Sequence, residues 1–184
     1  RLGFTTERLT EINPRLMYCG ISGFGADSKY PGRPAFDTVV QAMSGFMDLT
    51  RSLGEPQKAG ISAADIVGGT IGLFSIWTAL AHRDLSGVGQ GWDISMQDAA
   101  SWVTQMSWNG TASADTVKAV KCSDGYVFAA GAATVDDASF STVTREVAIE
   151  RLRSVGIDAA PVLNVSEVIQ SPQVAARNLL IMTK

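Results

Sequence analysis

One histidine, two cysteines and six prolines are a scant supply for 184 residues, and each scarcity excludes something. Cys19 and Cys122 lie far apart with no CxxC spacing, too few for a disulfide framework or a structural zinc site; two reduced thiols fit a cytoplasmic protein. His82 is the only histidine, so the usual metal-ligand sets cannot be assembled and no metal is expected. Basic charge is not in excess: 15 Lys and Arg stand against 18 Asp and Glu, a net charge of −3, which disfavours a nucleic-acid partner. Residues 66–81 form the most apolar run, yet they fall short of the ~20 that span a bilayer. Thr70, Ser75 and Thr78 interrupt that run and Asp65 and His82-Arg83-Asp84 flank it, so a buried central helix is expected and a membrane partner is not. No charged-then-apolar leader follows Arg1, and the chain reads as processed, excised or incompletely represented.

What is present is a globular composition, 46% hydrophobic and 18% charged, with helices and strands alternating and no internal repeat. Thr5 and Thr6 can cap a short helix that Asn13-Pro14 stops. Residues 16–22 read as a buried strand, followed by a loop of Gly, Pro and charge over 23–34. Apolar residues at Phe36, Val39, Val40, Met43, Phe46 and Met47 have helical spacing. Gly68 and Gly72, one turn apart in the long apolar helix, would let another element approach closely. Gly91 to Met96 alternates like a half-buried strand and 97–108 returns to helical spacing. A hairpin is expected around Ser123-Asp124-Gly125, then an amphipathic helix over 141–155 closed by Gly156. Asn164 can cap a short helix over 165–170, broken at Ser171-Pro172, with another possible over 173–178. The class is α/β or α+β, with a helical centre up to about residue 109 and a small β-rich part after it.

Motif searches exclude as much as they find. Gly20-Ile21-Ser22-Gly23-Phe24 has its second glycine one place too early for a nucleophile elbow. Gly87-Val88-Gly89-Gln90-Gly91 follows a helix and precedes a strand, whereas a phosphate cradle needs the reverse order, so it reads as a turn. Asp65, in Ile61-Ser62-Ala63-Ala64-Asp65-Ile66-Val67-Gly68-Gly69, stands at the N-terminal end of the apolar helix. There it gains from the helix dipole and free backbone N–H groups. Two readings stay open: a capping or first-turn aspartate, or a carboxylate nucleophile beside small residues that leave room for a substrate.

Three long stretches carry a resemblance. "INPRLMYCGISGFGADSKYPGRPAFDTVVQAMSGFM", "ISAADIVGGTIGLFSIWTALAHRDLSGVGQGWDISMQDAA" and "GIDAAPVLNVSEVIQSPQVAARN" resemble, in this order, the class III CoA-transferases of the formyl-CoA-transferase type, and "CSDGYVFAAGA" is similar to their small-domain hairpin. The resemblance implies an α/β fold with a Rossmann-like large domain plus a small β-rich domain, in two chains threaded as an interlocked dimer. On that plan residues 1–110 are a partial large domain, 111–160 a shortened small domain, and 161–184 a return segment to the large domain. The N-terminal Rossmann portion, with much of the CoA site, would lie before Arg1, supplied by the same chain or by a partner chain. The activity implied is exchange of coenzyme A, as a co-substrate acyl-CoA, with a small carboxylic acid, through an aspartyl anhydride and an aspartyl-CoA thioester. The family's nucleophile falls on Asp65; Arg1, Ser22 and Phe24 fall where members contact CoA. Racemases of the superfamily carry His before the Asp of "GRPAFD", where this chain has Phe36, which disfavours a two-base racemase or isomerase. The family's glycine-rich loop has no counterpart between Trp108 and Val117. A non-catalytic trimmed domain serving assembly or dimerisation is the other alternative.

Overall fold

Two compact units divide the chain, residues 1–111 and 112–184. The computed structural model describes residues 3–52, 54–108, 118–130 and 135–180. In the first unit Thr5 caps helix α1 (Thr6–Ile12), its side chain accepting from the Arg8 amide, and Asn13 ends it in extended backbone. Strand β1 (Tyr18–Ser22) leads through the Gly- and Pro-bearing loop to α2 (Asp37–Met43) and α3 (Phe46–Leu49). The single helix expected over 36–49 is therefore two: Gly45 takes a left-handed φ of 83°, a conformation costly for any residue with a Cβ, and the chain turns there. Two short antiparallel strands, β2 (Arg51–Ser52) and β3 (Glu55–Pro56), precede α4 (Ala63–Ser86).

Helix α4 runs 24 residues and stops at Gly87, left-handed at φ 77°, whose N–H returns to the Arg83 carbonyl. The run Gly87–Gly91 is thus a helix cap and turn. Strand β4 (Gly91–Ser95) pairs parallel with β1, from Tyr18 opposite Gly91 to Ser22 opposite Ser95. Parallel neighbours require a crossover, and α2, α3 and α4 supply it. Helix α5 (Met96–Val103) starts directly from β4, with the Ser95 side chain accepting from the Asp98 amide. Both glycines of α4 mark close approaches. A Cβ at Gly68 would lie 3.0 Å from Met96 Cγ, and one at Gly72 2.9 Å from Ile21 Cδ1, so α4 packs on α5 through the first and on β1 through the second.

The expected burial of α4 and β1 is corrected by the structure. On α4 only Ala63, Ala64, Gly68, Gly72 and Ala79 are buried, while Ile66, Leu73, Phe74 and Trp77 are exposed, Trp77 to 63%. The small residues make the close contacts, Val67, Ile71, Ile76 and Leu80 are half-buried, and the stripe of Ile66, Leu73, Phe74 and Trp77 is left largely exposed. Strand β1 is likewise only half-buried, since its sheet has two strands and α4 covers one face. Counted over all 24 residues, α4 is long and apolar enough to cross a membrane by composition.

The second unit is a three-stranded antiparallel sheet, β5 (Lys118–Cys122), β6 (Gly125–Ala129) and β7 (Ala159–Val162), in that order, with α6 (Arg145–Ser154) packed on it. Alternate residues point inward: Val120, Cys122, Val127, Ala129 and Ala159 meet Ala148 and Leu152 in one core. Burial pushes the Cys122 thiol up from its ordinary pKa, the nearby Asp124 carboxylate adds to this, and Arg145 opposes it. Helices α7 (Val165–Ile169) and α8 (Pro172–Ala176) follow, capped by Asn164 and Ser171; Asn164 and Glu167 form a reciprocal capping box. Of the return segment that the resemblance places at residues 161–184, the described residues 161–180 cluster by contact with this second unit. Arg145 ties the pieces together there, pairing with Glu167 of α7 and donating to the Val162 carbonyl at 3.0 Å.

Candidate active site

The start of α4 is held in an uncommon way. Ser62 occupies the N-cap position, but its side chain makes no capping bond. Asp37, the first residue of α2, does so instead: its Oδ1 accepts from the Ala64 amide at 2.9 Å. Its Oδ2 accepts from Gln41 Nε2 at 2.8 Å and lies 3.2 Å from Lys58 Nζ. Burial pushes the Asp37 carboxyl up, but the hydrogen bonds from Gln41, Lys58 and the Ala64 amide, with the Lys58 charge, outweigh it and hold the group below its ordinary value. The same side chains pin the approach to the helix. Gln41 Nε2 also donates to the Ile61 carbonyl and Gln41 Oε1 accepts from the Ala59 amide; Lys58 Nζ donates to the Ala59 carbonyl.

Asp65 is the third residue of α4 and is exposed. Gly69, four residues on, shares its face, and a Cβ there would meet nothing within 4 Å. The carboxylate thus stands on open surface in a helix first turn, one residue beyond the amide that Asp37 caps. Farther along, at Gly72, α4 rests on Ile21; seven residues of helix place that contact about 10 Å from Asp65 along the axis.

Ile21 and Ser22 line a cleft of about 420 Å³ at the C-terminal end of β1. This is where open parallel sheets present ligand sites. Phe24, buried to 9% exposure, forms one wall, with the Tyr30 ring 4.9 Å away and tilted by 50°. The Arg33 guanidinium lies 5.5 Å from the Phe24 ring centre and 5.3 Å from that of Tyr30. Ser22 Oγ accepts from the Gly25 amide at 3.0 Å, and Asp93 Oδ2 accepts from the Ala26 amide at 2.7 Å, so the turn closing the cleft is fixed from both strands. Arg33 makes no ion pair among the described residues, and such a group can receive phosphate oxygens while the rings receive a flat base. A second, apolar cavity of about 490 Å³ lies between α4 and α5, lined by Val67, Thr70, Ile71, Phe74, Trp102 and Val103. At 100° per residue it opens on the side of α4 away from Asp65.

Of the residues singled out from sequence, Ser22 and Phe24 therefore share one cleft, Asp65 stands apart on the adjoining helix, and Arg1 lies outside the described residues. Tyr30, Arg33, Asp37, Gln41 and Lys58 were not anticipated. Their only local signal was the four-residue spacing of Asp37 and Gln41, which marks an ordinary helix start as readily as a buried network.

A family model described as CoA-transferase family III matches residues 1–136. The chain belongs to CoA-transferase family III. An acetyl-CoA:oxalate CoA-transferase from Acetobacter aceti is 30% identical over an alignment covering 98% of this chain and 60% of that protein. A succinate–glutarate CoA-transferase from Agrobacterium fabrum is 41% identical over 56% of this chain and 26% of its own. Among solved structures, a CaiB/BaiF family protein from Brucella suis superposes with a TM-score of 0.81 at 28% identity, over 97% of this chain and 61% of that one. A Mycobacterium tuberculosis protein matches at a TM-score of 0.75 and 20% identity, a likeness of fold. The chain thus has the CoA-transferase family III fold and spans about 60% of the length of the Acetobacter and Brucella proteins.

Proposed function

We propose that this chain carries the nucleophile and part of the CoA site of a CoA-transferase, with Asp65 as the nucleophile. The observation that carries the reading is the position of Asp65: an exposed carboxylate in the first turn of α4, beside the open face at Gly69. A helix N-terminus stabilises negative charge on an oxygen developing there by roughly 0.3–1 kcal/mol. The nucleotide end of acyl-CoA lies in the cleft of Ser22, Phe24, Tyr30 and Arg33, and its pantetheine arm runs along α4 to Asp65. The names of the relatives, one pairing acetyl-CoA with oxalate and the other succinate with glutarate, support this choice of substrate class.

The reaction is then four acyl transfers with no net proton change. An Asp65 carboxylate oxygen attacks the thioester carbonyl; the C–O bond forms, the C–S bond breaks, and CoA leaves as thiolate. The thiolate attacks the Asp65 carbonyl of the resulting anhydride, expelling the donor acid as carboxylate. The acceptor carboxylate attacks the aspartyl-CoA thioester and releases the thiolate again. The thiolate finally takes the acceptor acyl group, and Asp65 returns as a carboxylate. Residues 1–110 belong on this reading to the large domain and 111–160 to the small one. The exposed apolar face of α4 supports a homodimer or a partner chain in the working protein, and the reduced cysteines support a cytoplasmic one.

The test is exchange in heavy water: a donor acyl-CoA is mixed with an isotopically labelled carboxylic acid and the protein. CoA transfer yields labelled acyl-CoA with no deuterium at the α-carbon. Deuterium uptake without label transfer would instead establish the racemase or isomerase reading, which the aromatic Phe36, 80% exposed before Asp37, disfavours.

A further inference from the structure

We infer that Asp37 is a positioning residue for Asp65, fixing the nucleophile by capping α4 from another helix; this rests on the CoA-transfer reading above. A local N-cap side chain would have satisfied the Ala64 amide, and Ser62 is in place to do so but does not. The cap comes instead from a residue 27 positions away, whose side chain is only 8% exposed. Burying a carboxylate is unfavourable unless it is fully hydrogen-bonded, and here both oxygens are engaged, by Ala64, Gln41 and Lys58. A serine cap would orient only its own turn. The Asp37 cap locks the first turn of α4 onto α2, while Gln41 and Lys58 hold the carbonyl and amide groups of residues 59–61 that lead into it. Asp65 follows Ala64 directly, so its backbone cannot shift without breaking the 2.9 Å bond to Asp37. Displacement of a reacting group by about 1 Å is enough to cost on the order of a hundredfold in rate.

Asp37→Asn and Lys58→Met in the full chain test this. The first keeps one acceptor oxygen but turns an amide toward the donors Gln41 and Lys58; the second removes the Lys58 charge from a side chain 37% exposed, and a melting curve checks that both variants fold. Three quantities are compared with the parent: CoA affinity, the rate at which hydroxylamine traps an acylated Asp65 at saturating acyl-CoA, and hydrogen exchange at the Ala64 amide. The expected result is CoA affinity within twofold in both variants. Trapping slows at least tenfold in Asp37→Asn and about threefold in Lys58→Met, with faster exchange at Ala64. Parental trapping rates in both variants overturn the inference, as does a loss of CoA affinity in step with the loss of trapping, which would mark a general structural role. A parent chain that binds CoA but forms no adduct at Asp65 overturns the CoA-transfer reading, and the positioning role with it.

Discussion

Replacing Gly23 by Ala would set a new methyl carbon 2.3 Å from Ala35 Cβ and 3.5 Å from Ala35 Cα. Ordinary carbon contacts lie at about 3.5–4.0 Å, so the two segments must part by more than about 1 Å. The obstacle is a Cβ held on backbone, with no rotamer to yield. Gly23 is tethered on its other side, where its carbonyl accepts from the Gln97 amide at 3.0 Å. The displacement therefore falls on the loop through residue 35, which carries Tyr30 and Arg33 into the cleft. Overpacking of this kind costs about 1–3 kcal/mol. For a chain of this size that lowers Tm by roughly 2–10 °C. If half of the strain is released by moving Arg33, CoA affinity falls by about threefold to tenfold, at 1.4 kcal/mol per decade. The assay is a thermal melt with and without CoA, together with calorimetric titration. Gly69→Ala is the control: its Cβ meets nothing within 4 Å, and Ala favours the helix by about 0.8–1 kcal/mol, so Tm holds or rises. A Gly23→Ala chain with parental Tm and CoA affinity would refute the close packing of strand end and loop.

Arg33→Ala removes a guanidinium near two rings, and the expected outcome is CoA binding weaker by several-fold to tenfold from a lost phosphate contact, with Tm lowered by no more than about 2–4 °C for the lost ring contact of about 0.5–1 kcal/mol. Asp37 gives stability a pH dependence. Its folded pKa lies below the ordinary aspartate value of about 3.9, so its contribution is complete above that pH and is lost as pH falls through the lower folded value. Urea midpoints measured from pH 6 down to pH 3 should show this acid loss in the parent and a flatter limb in Asp37→Asn.

Local signals in the sequence carried over well. The caps at Thr5 and Asn164 and the hairpin at Ser123-Asp124 each depend on a few adjacent residues, and each appears where those residues predict it; Ser171, expected only as part of a helix break, also caps the helix that follows. The glycine pair at Gly68 and Gly72 predicted close approach, which α5 and β1 supply. What did not carry over depends on partners far along the chain. Nothing near Asp37 announces that its carboxylate reaches the Ala64 amide, and nothing in the loop of Tyr30 and Arg33 announces that both meet Phe24. The burial of α4 failed for a related reason: an apolar helix signals a need for neighbours, while the neighbours are specified elsewhere. Ser22 and Phe24 were reached only through family resemblance, and they do share a cleft, while Asp65 was reached by resemblance and by its own place at a helix start.

The central claim is that Asp65 becomes acylated. The chain is incubated with acyl-CoA, quenched with hydroxylamine, digested and analysed by mass spectrometry, with Asp65→Asn alongside. The account predicts a hydroxamate on the peptide containing Asp65, absent from Asp65→Asn and requiring the acyl-CoA. A parent chain that binds CoA yet leaves Asp65 unmodified, or a hydroxamate on another carboxylate, would contradict it.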